Sequence, residues 1–95
     1  MKGLLIMSIL RNYFMEKTPD EIRKCNMEYE SKIEDLEEKL AKCQEDMVVY
    51  CFEEQDVEEF NKALALRKEL MNRKIELKEY LVALRSVANY RRIRL

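Results

Sequence analysis

The sequence predicts an all-α fold: a long antiparallel helical hairpin, coiled-coil-like, with a short apolar N-terminal helix, packed as an oligomeric helical bundle. The 95-residue chain has one Gly and one Pro, so it lacks the turn residues that a sheet of short strands needs. It is 39% charged and 47% apolar, which is typical of long helices. Its charges are also sorted: residues 19–59 carry a net charge of −10 and residues 60–95 carry +7. Two oppositely charged segments of similar length favour pairing.

The chain length indicates one helical domain, residues 1–95. We expect it to contain an apolar helix or arm at 1–16, an acidic helix at 18–53 and a basic helix at 56–93. A domain of this size buries only about 60–65% of its unfolded surface, and self-association would add to its core. We therefore expect a homo-oligomer, a dimer or larger.

The first predicted helix is apolar on all sides, so something must cover it. Its apolar run covers residues 3–10, too short for a bilayer, which needs about 20 residues, and no cleavage site for a signal peptide follows. Three alternatives stay open: a helix packed on the body or on a second copy, an arm for a membrane surface or a partner's groove, and a strand. The native start, Met1 or Met7, is also open. The predicted interaction residues here are Leu4, Leu5, Ile9 and Leu10.

The acidic helix has a clear start signal. Thr18 and Glu21 form a capping box around Pro19, in which each side chain can bond the other residue's backbone amide. Apolar residues then recur at spacings of three and four, which predicts a seam facing another helix. The seam residues are Ile22, Cys25, Tyr29, Ile33, Leu36, Leu40, Cys43, Met47 and Tyr50.

The pattern breaks at residues 51–56, although this stretch contains neither Gly nor Pro. Asp56 with Glu59 repeats a capping arrangement, which favours a turn and a new helix. The alternative is one continuous helix of about 75 residues, roughly 110 Å long, that would pair only between chains.

The basic helix carries a second seam with two cations in it, Arg67 and Lys74. The other residues of this seam are Phe60, Ala63, Leu70, Leu77, Leu81, Leu84 and Ala88. The stems of the two cations can lie along the seam while their charges reach carboxylates beside the facing helix, so we predict that they set the register. A neighbouring stripe makes the apolar face too wide for two helices, which predicts a further helix or protomer on it. That stripe consists of Leu64, Met71, Ile75 and Val82.

Aromatic and arginine side chains alternate near the C-terminus. This pattern suits an anion or nucleic-acid site, with guanidinium groups on phosphates and rings stacked on bases, but it also suits the negative end of a helix dipole. The residues of this alternative site are Tyr80, Arg85, Tyr90, Arg91, Arg92 and Arg94.

The composition argues against enzyme chemistry. The chain has no His, the commonest general base, and no Gly-rich phosphate loop. Its three Cys show no metal-ligand spacing and are typical of a reducing compartment, so we expect a cytoplasmic protein with no cofactor or metal. The expected function is a non-enzymatic protein-protein interaction module (adaptor, scaffold, chaperone or inhibitor) that binds itself and another protein, without a transmembrane segment. The alternative is an anion- or nucleic-acid-binding protein.

Overall fold

The computed structural model describes residues 2–95, and side chains from residue 5 onward. This part of the chain forms three α-helices: α1 (Lys2–Met15), α2 (Pro19–Val48) and α3 (Val57–Tyr90). A single π-helical turn, Val49–Glu53, follows α2, and the described residues include no strand. The prediction of an all-α fold is confirmed.

The chain forms two compact units. Unit 1 consists of Met1–Lys32 and Glu76–Leu95, and unit 2 is Ile33–Ile75. In each unit a part of α2 packs against a part of α3.

Unit 1 has its core where α1 meets the two longer helices. Arg85 of α3 donates hydrogen bonds to Asn26 and Glu30 of α2, and Arg23 of α2 donates to the Arg94 carbonyl after the end of α3. These contacts place the two segments side by side in antiparallel order. Apolar side chains from all three helices fill the interior, since burial of apolar surface is the main force that holds short helices together. The buried residues are Phe14, Ile22, Ala83, Leu84, Val87 and Ala88.

The predicted capping box starts α2. The Thr18 amide donates to Glu21 Oε1 and the Glu21 amide donates to Thr18 Oγ1, both at 3.2 Å. The hydrogen bonds with Thr18 hold the pKa of the Glu21 carboxyl below its usual value. A negative charge in the first turn also suits the positive end of the helix dipole.

The end of α3 differs from the prediction. The helix ends at Tyr90, and not near residue 93, because Arg92 takes a left-handed conformation with φ 57°. The Ile93 amide then donates to the Ala88 carbonyl and the Arg92 amide to that of Asn89, which is the Schellman pattern. Ile93 folds back onto the unit 1 core and so supplies the apolar contact that usually accompanies this motif.

Unit 2 is a pair of antiparallel helical segments. The Cys43 thiol donates to the Ala63 carbonyl at 3.1 Å, and Lys74 Nζ lies 3.4 Å from Glu37 Oε1. The buried residues between the segments are Ile33, Leu36, Leu40, Cys43 and Ala63. These residues belong to the two predicted seams.

The chain reverses within unit 2 at the predicted turn, so the alternative of one continuous helix is wrong. After the π-helical turn, Gln55 takes a left-handed conformation with φ 51°. Asp56 Oδ1 then accepts a hydrogen bond from the Glu59 amide at 3.1 Å and caps the start of α3. Gly is the usual residue in a left-handed conformation, because other residues adopt it only at a cost in energy. Since Gln55 occupies this position, the sequence gives only a weak turn signal here.

Candidate functional site

The predicted interaction residues are mostly exposed. Leu10 is the exception, since it is half-buried against the unit 1 core, and the side chain of Leu4 lies outside the described residues. The exposed ones are Leu5, Ile9, Leu64, Met71, Ile75 and Val82. A protein that leaves many large apolar side chains in water commonly uses them for binding.

One group of exposed apolar side chains follows α1. These residues, which we call the α1 stripe, are Leu5, Ile6, Ile9 and Tyr13. The other side of α1 faces the core of unit 1 through Leu10 and Phe14. At 3.6 residues per turn the centres of these two faces are roughly 120° apart, so one helix cannot bury both against the same neighbour. Ile9, at 59% exposure, is the centre of the outward face.

The α1 stripe borders a groove in unit 1. The groove encloses about 330 Å³, and we call it the tyrosine groove. Its lining residues are Ile9, Leu10, Tyr13, Phe14, Tyr29 and Tyr80. The rings of Tyr29 and Tyr80 lie 5.8 Å apart. Burial raises the pKa of the Tyr29 hydroxyl above its usual value, so this group stays neutral and able to donate a hydrogen bond.

A second groove lies between the two segments of unit 2, and both predicted register-setting cations line it. This hairpin groove encloses about 400 Å³. Its lining residues are Glu37, Leu40, Ala41, Gln44, Arg67, Met71 and Lys74. Arg67 and Lys74 are half-buried, and Lys74 pairs with Glu37 across the groove, as expected for a long cationic side chain at a seam position.

Replacing both cations with Leu tests their role. We expect Arg67→Leu/Lys74→Leu to melt at an equal or higher temperature, because apolar residues at partly buried ionic positions are often neutral or stabilising. We also expect mixed oligomeric states, since polar seam positions set register. Thermal melts followed by circular dichroism, with native mass spectrometry, measure both effects. An unfolded double variant would mean that the remaining structure depends on these two cations.

Two arginines of the alternative anion site are engaged within unit 1. Arg85 bonds Asn26 and Glu30. Arg91 Nη1 donates to the carbonyls of residues 14, 15 and 17 at the end of α1. These partners hold the two guanidinium groups in structural contacts, and Tyr80 lines the tyrosine groove instead.

The other members of that site are exposed at the end of α3. Tyr90 is 78% exposed, and Arg92 and Arg94 are exposed beside it. The Arg94 carbonyl accepts a hydrogen bond from Arg23 Nε at 2.8 Å. Three of the six residues are therefore exposed near the end of α3, where they could meet an anion.

Sequence reasoning missed an apolar patch at the turn of unit 2. Phe52 and Val57 are 75% and 72% exposed, and Val48 is also exposed. Phe52 and Val48 line a further groove of about 270 Å³ with Phe60. The signal was the pair Cys51 and Phe52, apolar residues in a segment where a turn usually has polar ones. Cys51 is exposed, and Cys43 is the only one of the three cysteines that is fully buried.

The described residues contain no cluster of three or more His, Cys, Asp or Glu that could hold a metal ion. None of the helices described is long and apolar enough to cross a membrane. No family model, no curated protein and no solved structure matches the chain.

Proposed function

We propose that this chain is a non-enzymatic protein-protein interaction module, an adaptor, scaffold, chaperone or inhibitor, that works as a helical homo-oligomer. The observation that carries the proposal is the α1 stripe, which stays exposed although α1 already buries its opposite face in unit 1. A helix with two apolar faces needs a packing partner on each face. Three unpaired cysteines support a reducing compartment such as the cytoplasm.

The partner that suits the α1 stripe is an amphipathic segment with acidic residues beside its apolar face. The sequence of α1 contains Lys2 and Arg11 and no Asp or Glu. The tyrosine groove beside the stripe offers apolar rings that each carry one polar hydroxyl, a combination that is enriched at protein interfaces. A partner helix could place a large apolar side chain in this groove and its carboxylates near Lys17, whose Nζ lies 4.6 Å from the centre of the Tyr13 ring.

A charge placed in the α1 stripe tests this function. We expect Ile9→Asp to abolish capture of the partner from extracts of the source cell, because an exposed apolar contact becomes a desolvated charge. Ser8→Asp is the matched control, since it adds the same charge to an exposed position of α1 about 100° from Ile9, outside the stripe. Both variants should keep the helical content of the parent, measured by circular dichroism. Equal capture by Ile9→Asp and Ser8→Asp would contradict the proposal.

The alternative, anion or nucleic-acid binding, rests on the exposed group Tyr90, Arg92 and Arg94. The salt dependence of binding distinguishes this alternative from the main proposal. Capture through apolar faces should persist at high ionic strength, whereas binding through two or three arginines to phosphates should weaken steeply. Capture that disappears with salt and is unchanged in Ile9→Asp would favour the alternative.

A further inference from the structure

We propose that one face of unit 2 binds the same face of a second copy of this chain, with both turns at one end of the dimer. The face consists of Leu64, Met71 and Ile75 of α3 together with Ala41 and Val48 of α2. This inference rests on the proposed function in one respect, since it takes the exposed surface to be a protein interface. It adds the identity of the molecule that covers this face, the symmetry of the dimer and the register of its helices.

The α3 part of this face is a straight apolar stripe. Leu64, Met71 and Ile75 are all exposed and lie seven and four residues apart, within about 40° of each other around the helix. Val57 continues the stripe seven residues before Leu64. Lys68 lies four residues after Leu64 and three before Met71, so it is on the same side of α3, between them. The stripe is thus apolar with one cation at its centre, which suits a facing helix that carries carboxylates.

The α2 part is the complement of that stripe. Its residues recur at spacings of four and three, and all are exposed: Glu34, Glu38, Ala41, Glu45 and Val48. Ala41 is the small residue at the centre, with an acidic residue on each side of it. Ala41 and Met71 line the same hairpin groove, so both stripes border one side of unit 2. A surface that has an acidic stripe beside an apolar-basic one can bind its own copy.

The contacts within unit 2 fix the register of such a dimer. Glu37 pairs with Lys74 and Cys43 bonds Ala63, so Ala41 lies level with residues 67–68 of α3. A two-fold axis parallel to the helices would lay α3 of one copy on α2 of the other at the same level. Lys68 then lies over Ala41 of the second copy, where a small side chain leaves room for its stem. Its ammonium group reaches the carboxylates of Glu38 and Glu45 on either side.

The apolar turn of unit 2 favours this axis over the opposite arrangement. With both turns at one end, the exposed side chains of Val48, Phe52 and Val57 of two copies meet and leave water. A dimer with turns at opposite ends would stack α3 on α3 and α2 on α2. That stacking brings like charges together, at a cost in affinity.

Two exposed alanines of unit 2 give a matched test. Ala41→Lys places a cation under Lys68 of the second copy, and we expect the dimer dissociation constant in sedimentation equilibrium to rise at least about tenfold. Ala65→Lys makes the same change on α3 about 100° from Leu64, outside the face, and should change the constant less than about twofold. Adding Lys68→Glu to Ala41→Lys should restore association, because the charges are then opposite again.

A distance measurement on the unaltered face supports or excludes the geometry. Cys51 is exposed at the turn and Cys43 is buried, so a spin label on Cys25→Ala protein goes to Cys51. Turns at one end place the two labels within about 20 Å, given interhelical distances of roughly 8–10 Å. Turns at opposite ends would separate them by about 30 Å or more, because Cys51 lies ten residues from the central Ala41 in each copy, at about 1.5 Å per residue.

Three results would overturn the inference: a monomer at about 100 µM, equal dissociation constants for the two lysine variants, or label separations of about 30 Å or more. None of these depends on α1. Loss of dimerisation with intact partner capture would leave the α1 stripe as an interface. Intact dimerisation with no effect of Ile9→Asp would instead remove the α1 proposal alone.

Discussion

Phe14→Ala should lower the free energy of unfolding by about 3–5 kcal/mol, the range for truncating a fully buried aromatic side chain. Phe14 has 0% exposure and is the residue of α1 in the unit 1 core. Its ring contacts those of Tyr13 and Tyr29 edge-on, at centroid distances of 5.3 and 6.4 Å. A chain of 95 residues has a total stability of about 5–14 kcal/mol, so this single change removes a large share of it.

Tyr13→Ala is the control for that variant. Tyr13 is the neighbouring aromatic residue on α1 but is 51% exposed, so its truncation should cost only about 1 kcal/mol. Urea unfolding of both variants at one protein concentration measures the difference, since association adds stability that depends on concentration. A similar, small loss for both would mean that α1 does not pack on α2 and α3 through Phe14.

The starts of α2 and α3 could be predicted from the sequence because their signals are local. The capping box at Thr18 and the seam spacing of α2 depend only on neighbouring residues, and both predictions are confirmed. The end of α3 could not be placed, because Arg92 adopts φ 57° without being Gly. The turn was predicted from Asp56, whose cap is local too.

The candidate site was only partly predictable. Spacing along α3 was sufficient to locate Leu64, Met71 and Ile75, which are exposed. The division of α1 into two faces was not predictable, since six of the seven residues 4–10 are apolar and cover all sides of the helix, so that no periodicity selects the buried side. That choice depends on the core around Phe14, in which Leu84, Val87 and Ala88 lie 70 or more residues away along the chain. The oligomeric and coiled-coil predictions stay predictions.

The role of Arg91 is the clearest case of a long-range contact that sequence patterns do not reveal. Its position at the end of α3 suggested an interaction with that helix's own dipole or with an anion. The structure instead places its guanidinium at the C-terminus of α1, where Nη1 donates to three carbonyls. The carbonyl oxygens of Phe14 and Met15 lie 3.5 and 3.4 Å from Arg91 Nη1, and both residues belong to the last turn of α1. A helix end has free carbonyls and partial negative charge, so a cation there stabilises it.

We therefore expect Arg91→Met to lower the free energy of unfolding by about 2 kcal/mol, because it removes charge-assisted hydrogen bonds but keeps an apolar stem. Arg92→Met is the matched control: it removes the same charge from the next, exposed residue and should change stability by less than about 0.5 kcal/mol. Urea unfolding gives both values, and hydrogen exchange should show faster opening of α1 in Arg91→Met only. Equal effects of the two substitutions would show that position 91 contributes net charge alone and that α1 ends without this cap.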